Sequence, residues 1–553
     1  MRGLLKNELI KIFKQTSYKV ITIVAVALVL LGTLFNLSLT SLASFDVAPA
    51  EEAEFYRDQA EYFEDDDVQK GYYLDCVSTI EFFADENGNY DWKYDIYYLE
   101  YDELYLKARA YELIESGKYS EEDIEKSEYW YYISPEEDPA LPELQKQLKE
   151  LQTEIKDATF RSYIEREAKT VEMEMHEYEL DIAQAKSDLA ANPDNEKYAY
   201  NVELYGALLD SSKRVLSAYN YIIDKVDSPD DWRYKTVVAL NNSTSDYYMS
   251  VIMPEKLYNN SMEAGYYMNY GEYVRNMELH QKESMSASEI FEYSLENSIP
   301  VSGIESNQKL MLRSNFTSVV GTLVILFVIV CGLTLSNEFS SGTIRLLVIR
   351  PKTRAKILTS KMLAALIYML LLVAASLIII FVFGILLGGV GDIFVSDLFY
   401  LGGNVVALPS FLMSLAIIFE GIITIMFFGA IALLLSVLTK KTALSIAIPI
   451  VLHSIGATAQ SISLMIAGAF ESALPVVSLL PTSYVDLSIF NMTSAEYYVS
   501  MYGDSLTDML GASMYYSIAS QMYPIYGVVC YLAFTAGAVA LTYLAFKKTQ
   551  IKN

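Results

Sequence analysis

The chain has 553 residues, is 52% hydrophobic and carries a net charge of −28. Those properties coexist only where apolar and acidic residues are segregated, and residues 46–313 hold 59 Asp and Glu against 25 Lys and Arg. A stretch that acidic argues against nucleic acid or anionic lipid as its partner.

Residues 1–19 interleave Arg2, Lys6, Lys11, Lys14 and Lys19 with Leu4, Leu5, Leu9, Ile12 and Phe13. This pattern predicts a basic amphipathic helix. It reads either as a positive flank that sets topology or as an interfacial helix on the inner leaflet. Val20–Leu42 is apolar for about 23 residues, enough at ~1.5 Å per residue to cross ~30 Å of hydrocarbon. Ser41-Leu42-Ala43 resembles a cleavage site, but the apolar region of a signal peptide is only about 7–15 residues long. Residues 20–43 are therefore expected to be an uncleaved first span.

Residues 46–313 contain no long apolar run. They are expected to form an acidic, mostly helical extracytoplasmic domain. Trp92, Tyr94, Tyr97, Tyr98, Tyr101 and Tyr105 suit a small helical core, since a tyrosine packs its ring and keeps its hydroxyl at the edge. From Leu144 an apolar stripe runs through Leu148, Leu151, Ile155 and Ala158, then steps by six to Ile164 and continues to Leu189. Asn192-Pro193-Asp194-Asn195 is a turn. A second stripe follows from Val202 to Val226. Two stripes joined by a tight turn predict an antiparallel coiled-coil hairpin over about 142–226.

Five more apolar runs follow, at 316–335, 363–387, 411–438, 444–470 and 525–546. All 16 basic residues outside 46–313 fall in 1–19, 337–361, the 440–441 turn and the tail after 546. The connections 388–410 and 471–524 have none. That asymmetry predicts six spans with both termini cytoplasmic. The fold class is mainly α, a six-span helical membrane protein of a bacterial cell membrane. Within 471–524, Leu474–Pro481 is apolar but too short to span, so it is expected to be re-entrant or interfacial.

Residues 337–361 carry six basic residues against the single acid Glu338. Ile344, Leu347 and Val348 form an apolar side with Arg345 on another, and Pro351 ends the segment. The pattern Glu338, Gly342-Thr343, Leu346-Leu347, Pro351, Arg354 and Lys361 resembles the first cytoplasmic loop of ABC transporter permeases of the type-2 exporter family. The resemblance covers the loop and the spacing of the spans, not residues 46–313. It implies a coupling helix that docks on a separate ATP-binding subunit, with Glu338, Gly342, Thr343, Arg345, Pro351, Arg354 and Lys361 at or around the contact. It also implies a second permease copy or a paralogous permease as membrane partner, and short helices in 471–524 that roof the path. The chain would bind no cofactor, and ATP and Mg would sit on the partner subunit.

No phosphate-binding loop of the Walker A kind is present, so the chain itself is not expected to be an enzyme. His176, His280 and His453 are too few for a histidine-rich metal site, and Cys76, Cys331 and Cys530 offer no disulfide framework. Two polar residues fall inside spans, Glu420 and His453. An ionisable group at that depth costs about 2.5–3.5 kcal/mol on insertion scales, so each should face protein or water. Each reads either as lining a substrate path or as tying two helices together. A rival reading makes the chain a surface scaffold or receptor acting through its outer coiled coil.

Overall fold

A computed structural model describes residues 2–42, 48–85, 87–135, 138–267, 269–301, 304, 308–341, 353–388, 396–485, 490, 493–501, 519, 521–522 and 524–548. The chain is mainly helical. In order run α1 (Arg2–Lys14), α2 (Thr16–Leu42), α3 (Pro49–Ala60), α4 (Val68–Glu81), α5 (Trp92–Glu115), α6 (Glu121–Glu125), α7 (Leu141–Asp157), α8 (Phe160–Ala191), α9 (Glu196–Ile222), α10 (Trp232–Met249), α11 (Glu255–Tyr258) and α12 (Tyr270–Asn297). Then come α13 (Gln308–Ser340), α14 (Arg354–Gly388), the strands β1 (Ser396–Leu401) and β2 (Asn404–Pro409), α15 (Ser410–Thr439), α16 (Thr442–Ala469), α17 (Leu474–Val477), α18 (Ser494–Met501) and α19 (Pro524–Lys548). Two compact units divide these elements: residues 1–44, 174–218 and 236–553 form one, and residues 45–173 with 219–235 form the other.

Among the described residues, six stretches are long and apolar enough to cross a membrane: Thr16–Leu34, Asn315–Ser340, Arg354–Phe383, Ser410–Thr439, Thr442–Gly468 and Pro524–Lys548. They agree with the six expected apolar runs and make this a transmembrane protein. Their burial follows their patterning. On α2, Tyr18, Ile21, Ala25 and Val29 are buried at helical spacing, while Val20, Ile23, Leu28 and Leu31 stay exposed. α13 is buried nearly all round, from Phe316 through Val324, Val328 and Cys331 to Leu335. It packs against α2, α14, α15 and α16 and so forms the centre of the core. Small residues let it approach α15 closely. A Cβ at Gly429 would collide with the Phe327 ring, and one at Gly421 would crowd Phe316 and Val320.

α15 and α16 are joined through Lys440 and Lys441 alone. Lys440 is left-handed (φ 56°, ψ 14°), and the Lys441 amide donates to the Thr439 hydroxyl at 3.2 Å. The 388–410 connection holds an antiparallel hairpin, β1 paired with β2 from Ser396–Pro409 to Leu401–Asn404. Its turn is Gly402-Gly403, both with positive φ (61° and 87°), as a two-residue hairpin turn of the primed kind requires. In 471–524, α17 and the 3-10 turn Pro481–Tyr484 pack on spans: Val477 and Tyr484 are buried with Ile423, Leu464 and Tyr531. The Tyr484 hydroxyl donates to the Ser478 carbonyl at 2.7 Å.

Three helices of the second unit start on side-chain caps. Asp67 accepts from the Gln69 amide to start α4, Asp91 accepts from the Lys93 amide to start α5, and Ser120 with Asp123 forms a capping box on α6. Its core is aromatic, as expected. Tyr97 and Tyr101 are fully buried, Tyr101 stacks on Phe82 at 4.3 Å between centroids, and Tyr94 stacks on Tyr98 at 4.7 Å. The interruption in the apolar stripe is a helix break: α7 stops at Asp157, Ala158 is extended (φ −60°, ψ 129°), and Thr159 caps α8 by accepting from the Ser162 amide.

One carboxylate is enclosed in this aromatic core. Asp102 is 9% exposed and accepts from the Thr79 hydroxyl at 2.6 Å. Burial pushes its carboxyl up to about 6. Between pH ~4 and about 6 the folded state holds a proton there that the unfolded chain has released, so this group's contribution to stability is greatest below pH ~4 and is lost as pH rises towards 6. A shift of about two units corresponds to at most ~3 kcal/mol. Asp102→Asn keeps the acceptor for Thr79 and removes the titration. It is expected to raise the melting temperature of this unit by about 3–6 °C at pH 7.5 and to leave it unchanged at pH 4. Equal shifts at both pH values would exclude this origin.

Candidate functional site

The residues on either side of 342–352 meet in a group of four charges, three of them largely enclosed. α13 ends on the described side at Ser340, with the Ser340 and Ser341 hydroxyls both donating to the Asn337 carbonyl. α14 begins at Arg354 after Thr353, whose carbonyl accepts from the Ile357 amide. Glu338 lies in the last turn of α13 and Lys361 two turns into α14. The Lys361 ammonium donates to Glu338 Oε1 at 2.6 Å and to Glu8 Oε2 at 3.0 Å, and the Lys11 ammonium donates to the same Glu338 oxygen at 2.8 Å.

α1 presents Glu8 and Lys11 one turn apart on one face, so a single short helix supplies both signs of charge. The Lys361 side chain is 1% exposed, Glu338 is 9% and Glu8 is 12%, whereas Lys11 remains 56% exposed. Two cations against two anions leave the group neutral, with Lys11 on its wet side and Lys361 compensating the two carboxylates from within. A cavity of about 230 Å³ opens beside it, lined by Gln15, Tyr18, Thr334, Asn337, Glu338 and Lys361 among others. Within it Glu338 Oε2 is buried with no hydrogen-bond partner among the described residues.

Further bonds extend this tie to neighbouring helices. The Tyr368 hydroxyl of α14 lies 2.8 Å from Thr22 Oγ1 of α2 and donates to the Tyr18 carbonyl at 3.2 Å. Ser336 meets Thr442 at the start of α16 at 2.9 Å, and the Ser436 hydroxyl of α15 donates to the Gly332 carbonyl at 3.2 Å. Arg354 Nη1 donates to the Lys547 carbonyl of α19 at 3.1 Å, and Thr359 meets Tyr543 at 2.5 Å. The helix ends around the loop thus form one polar collar.

The expected loop residues divide accordingly. Glu338, Arg354 and Lys361 belong to the collar and find partners within this chain. Gly342, Thr343, Arg345 and Pro351, with the amphipathic segment they delimit, lie outside the described residues. Glu420 is buried in α15 and 9% exposed, next to the close contact of Gly421 with Phe316. His453 is half-buried in α16, with its ring 4.9 Å from that of Phe428 and facing Gly321 of α13. Eight residues, about 12 Å of helix, separate Glu420 from Phe428. Sequence reasoning did not single out Glu8. The available signal is that it is the only acid in the first 19 residues, placed on the side of Leu5 and Ile12.

Residues 277–463 are similar to the family described as a protein of unknown function, DUF2705. The match runs from within α12 to within α16. It includes Glu338, Lys361, Glu420 and His453 and leaves out α1 with Glu8 and Lys11. No curated protein matches this chain.

Proposed function

We propose that this chain is the membrane subunit of an ABC-type exporter, driven by a separate ATP-binding subunit that holds ATP and Mg. The observation that carries the reading is the buried pairing of Glu338 with Lys361. These residues stand on the two helices that flank the 342–352 loop. A push on that loop would move α13 and α14 together, and Glu8 and Lys11 would make α1 follow. A neutral, water-excluding tie suits this transmission, because breaking it would leave unpaired charge buried. The force thereby reaches α13, the central helix of the core, and tilts it against α15. A path for a peptide, lipid, drug or ion would open between two permease copies or a permease pair, with Glu420 and His453 as the ionisable groups closest to it.

The distribution of Lys and Arg supports the accompanying topology: a bacterial cell membrane, both termini and residues 337–361 in the cytoplasm, residues 46–313 outside. In this arrangement α8 and α9, with their apolar stripes and the 192–195 turn, pack as an antiparallel coiled-coil hairpin. The short helices of 471–524 cover the outer end of the path.

The test is affinity capture of the full chain from its native membrane. An ATP-hydrolysing subunit is expected to come with it, and to be retained at least about tenfold less when residues 342–352 are replaced by a Gly-Ser linker of equal length, a loss equivalent to ~1.4 kcal/mol. Glu338→Lys places a third cation beside Lys11 and Lys361. It is expected to leave the ATPase bound but to abolish ATP-dependent distance changes between labels on α13 and α15. Capture without any ATPase, or capture indifferent to the loop, would refute the reading and turn attention to a receptor role for the outer unit.

A further inference from the structure

We propose that the outer face of α1 is a binding site for anionic phospholipid. Gln15 alone separates α1 from α2, whose membrane-crossing stretch starts at Thr16. α1 is therefore held at the boundary between hydrocarbon and water. Its inner face is occupied, with Leu5, Leu9 and Ile12 packed into the transmembrane core and Glu8 and Lys11 engaged in the charge group. What remains is an arc of Arg2, Lys6, Ile10, Phe13 and Lys14, which at 100° per residue spans about 120° of the helix.

All five are exposed, Ile10 by 42% and Phe13 by 50%. A shallow groove of about 730 Å³ follows this arc, lined by Arg2, Lys6, Leu9, Ile10, Phe13 and Lys14 among others. Three cations face outward and the one acid of the helix, Glu8, faces inward, so the arc is purely positive. Large apolar side chains one turn from cations, at the level where a span begins, fit phosphate oxygens on the Lys and Arg groups and acyl chain against Ile10 and Phe13. Charge and depth together favour a lipid over a soluble protein as the occupant. The inference stands whether or not the chain exports anything.

The experiment is amide exchange on the full chain in nanodiscs with no other protein present. Discs of phosphatidylcholine are compared with discs that also contain phosphatidylglycerol. Exchange in residues 2–14 is expected to slow in the mixed discs, by about fivefold per engaged cation and so up to roughly a hundredfold for three. The slowing should fade between about 0.1 M and about 0.5 M salt as charges are screened. Replacing Arg2, Lys6 and Lys14 together by Gln should remove the dependence on phosphatidylglycerol, while Arg2→Lys should keep it. If the triple variant also loosens α1 in phosphatidylcholine, the salt titration of the unaltered chain decides. Exchange equal in both discs, a dependence that survives the triple variant, or protection that appears only on adding an ATP-hydrolysing protein would overturn the proposal. The last outcome would make the arc a protein-docking face.

Discussion

Replacing Lys361 with methionine is expected to be the most damaging single change in the chain. Methionine matches the lysine stem in length and packs in the same channel, so the loss is almost purely electrostatic. It leaves the Glu8 and Glu338 carboxylates, which Lys361 now bridges at 3.0 and 2.6 Å, facing each other with only the half-exposed Lys11 to offset them. Removing one partner of a buried ionic group costs about 3–5 kcal/mol. That is a large fraction of the ~5–15 kcal/mol by which a protein is ordinarily stable.

The expected result is a fall of the folded fraction, measured by size-exclusion chromatography after heating in detergent, and loss of α1 protection in amide exchange. A triple variant distinguishes this cause from a packing defect. Lys361→Met with Glu8→Gln and Glu338→Gln removes the stranded charges and should recover most of the stability, because such groups can often be replaced by neutral ones of the same shape. Under the coupling proposed above, the triple variant should still fail to transmit movement from residues 342–352 to α1, since the tie is gone. A single variant as stable as the parent would show that Lys361 is not held by these carboxylates.

Gly429→Val is the second change with a large expected effect. α13 and α15 form the most extensive helix pair of the core, and Gly429 meets the Phe327 ring where they come closest. A Cβ there would overlap the ring, and two γ-methyls would add to the overlap. Phe327 is 5% exposed and belongs to the same buried cluster as Val324, Val328 and Cys331, so moving its ring would disturb a packed core. Overpacking of a dense core typically costs about 1–3 kcal/mol, and more where backbone must separate. Gly537→Val is the control. It lies on α19 with nothing within 4 Å of its would-be Cβ. Both variants add the same side chain to a membrane-crossing helix, but only the first should lower the yield and melting temperature of purified protein. Equal behaviour of the two would mean that α13 and α15 do not approach as closely as described.

The membrane helices were legible because hydrocarbon imposes a long, uniform apolar run, and the six runs coincide with six helices. Tyr97 and Tyr101 in the aromatic core were legible for a related reason, their spacing along one helix. The charge group was not. Its contacts join residues 327 and 353 positions apart in sequence, and no periodicity links Glu8 or Lys11 to the 337–361 stretch. Lys361 stood out only as part of the loop pattern that suggested contact with a partner subunit, whereas among the described residues it is one of the most buried large side chains and bonds within the chain. The β1–β2 hairpin was missed although Gly402-Gly403 between Phe399-Tyr400-Leu401 and Val405-Val406 is a recognisable turn signal. The neighbouring apolar spans drew the whole segment into the reading of a plain connection. The break at Ala158-Thr159 was visible as a six-residue step in the stripe, but whether the chain stops there depends on the Thr159–Ser162 cap, a local choice that an apolar pattern does not record.

The two-residue link at Lys440-Lys441 has a consequence for how the protein is made. Thirty residues of α15 and 28 of α16 emerge from the ribosome almost without interruption. So short a connection leaves neither helix able to settle in lipid far from the other. During biogenesis they would partition as one hairpin, with Glu420 and His453 entering beside a ready-made neighbour rather than facing acyl chains alone. Lengthening this link with a flexible insert should delay assembly of nascent chains far more than it disturbs the finished protein.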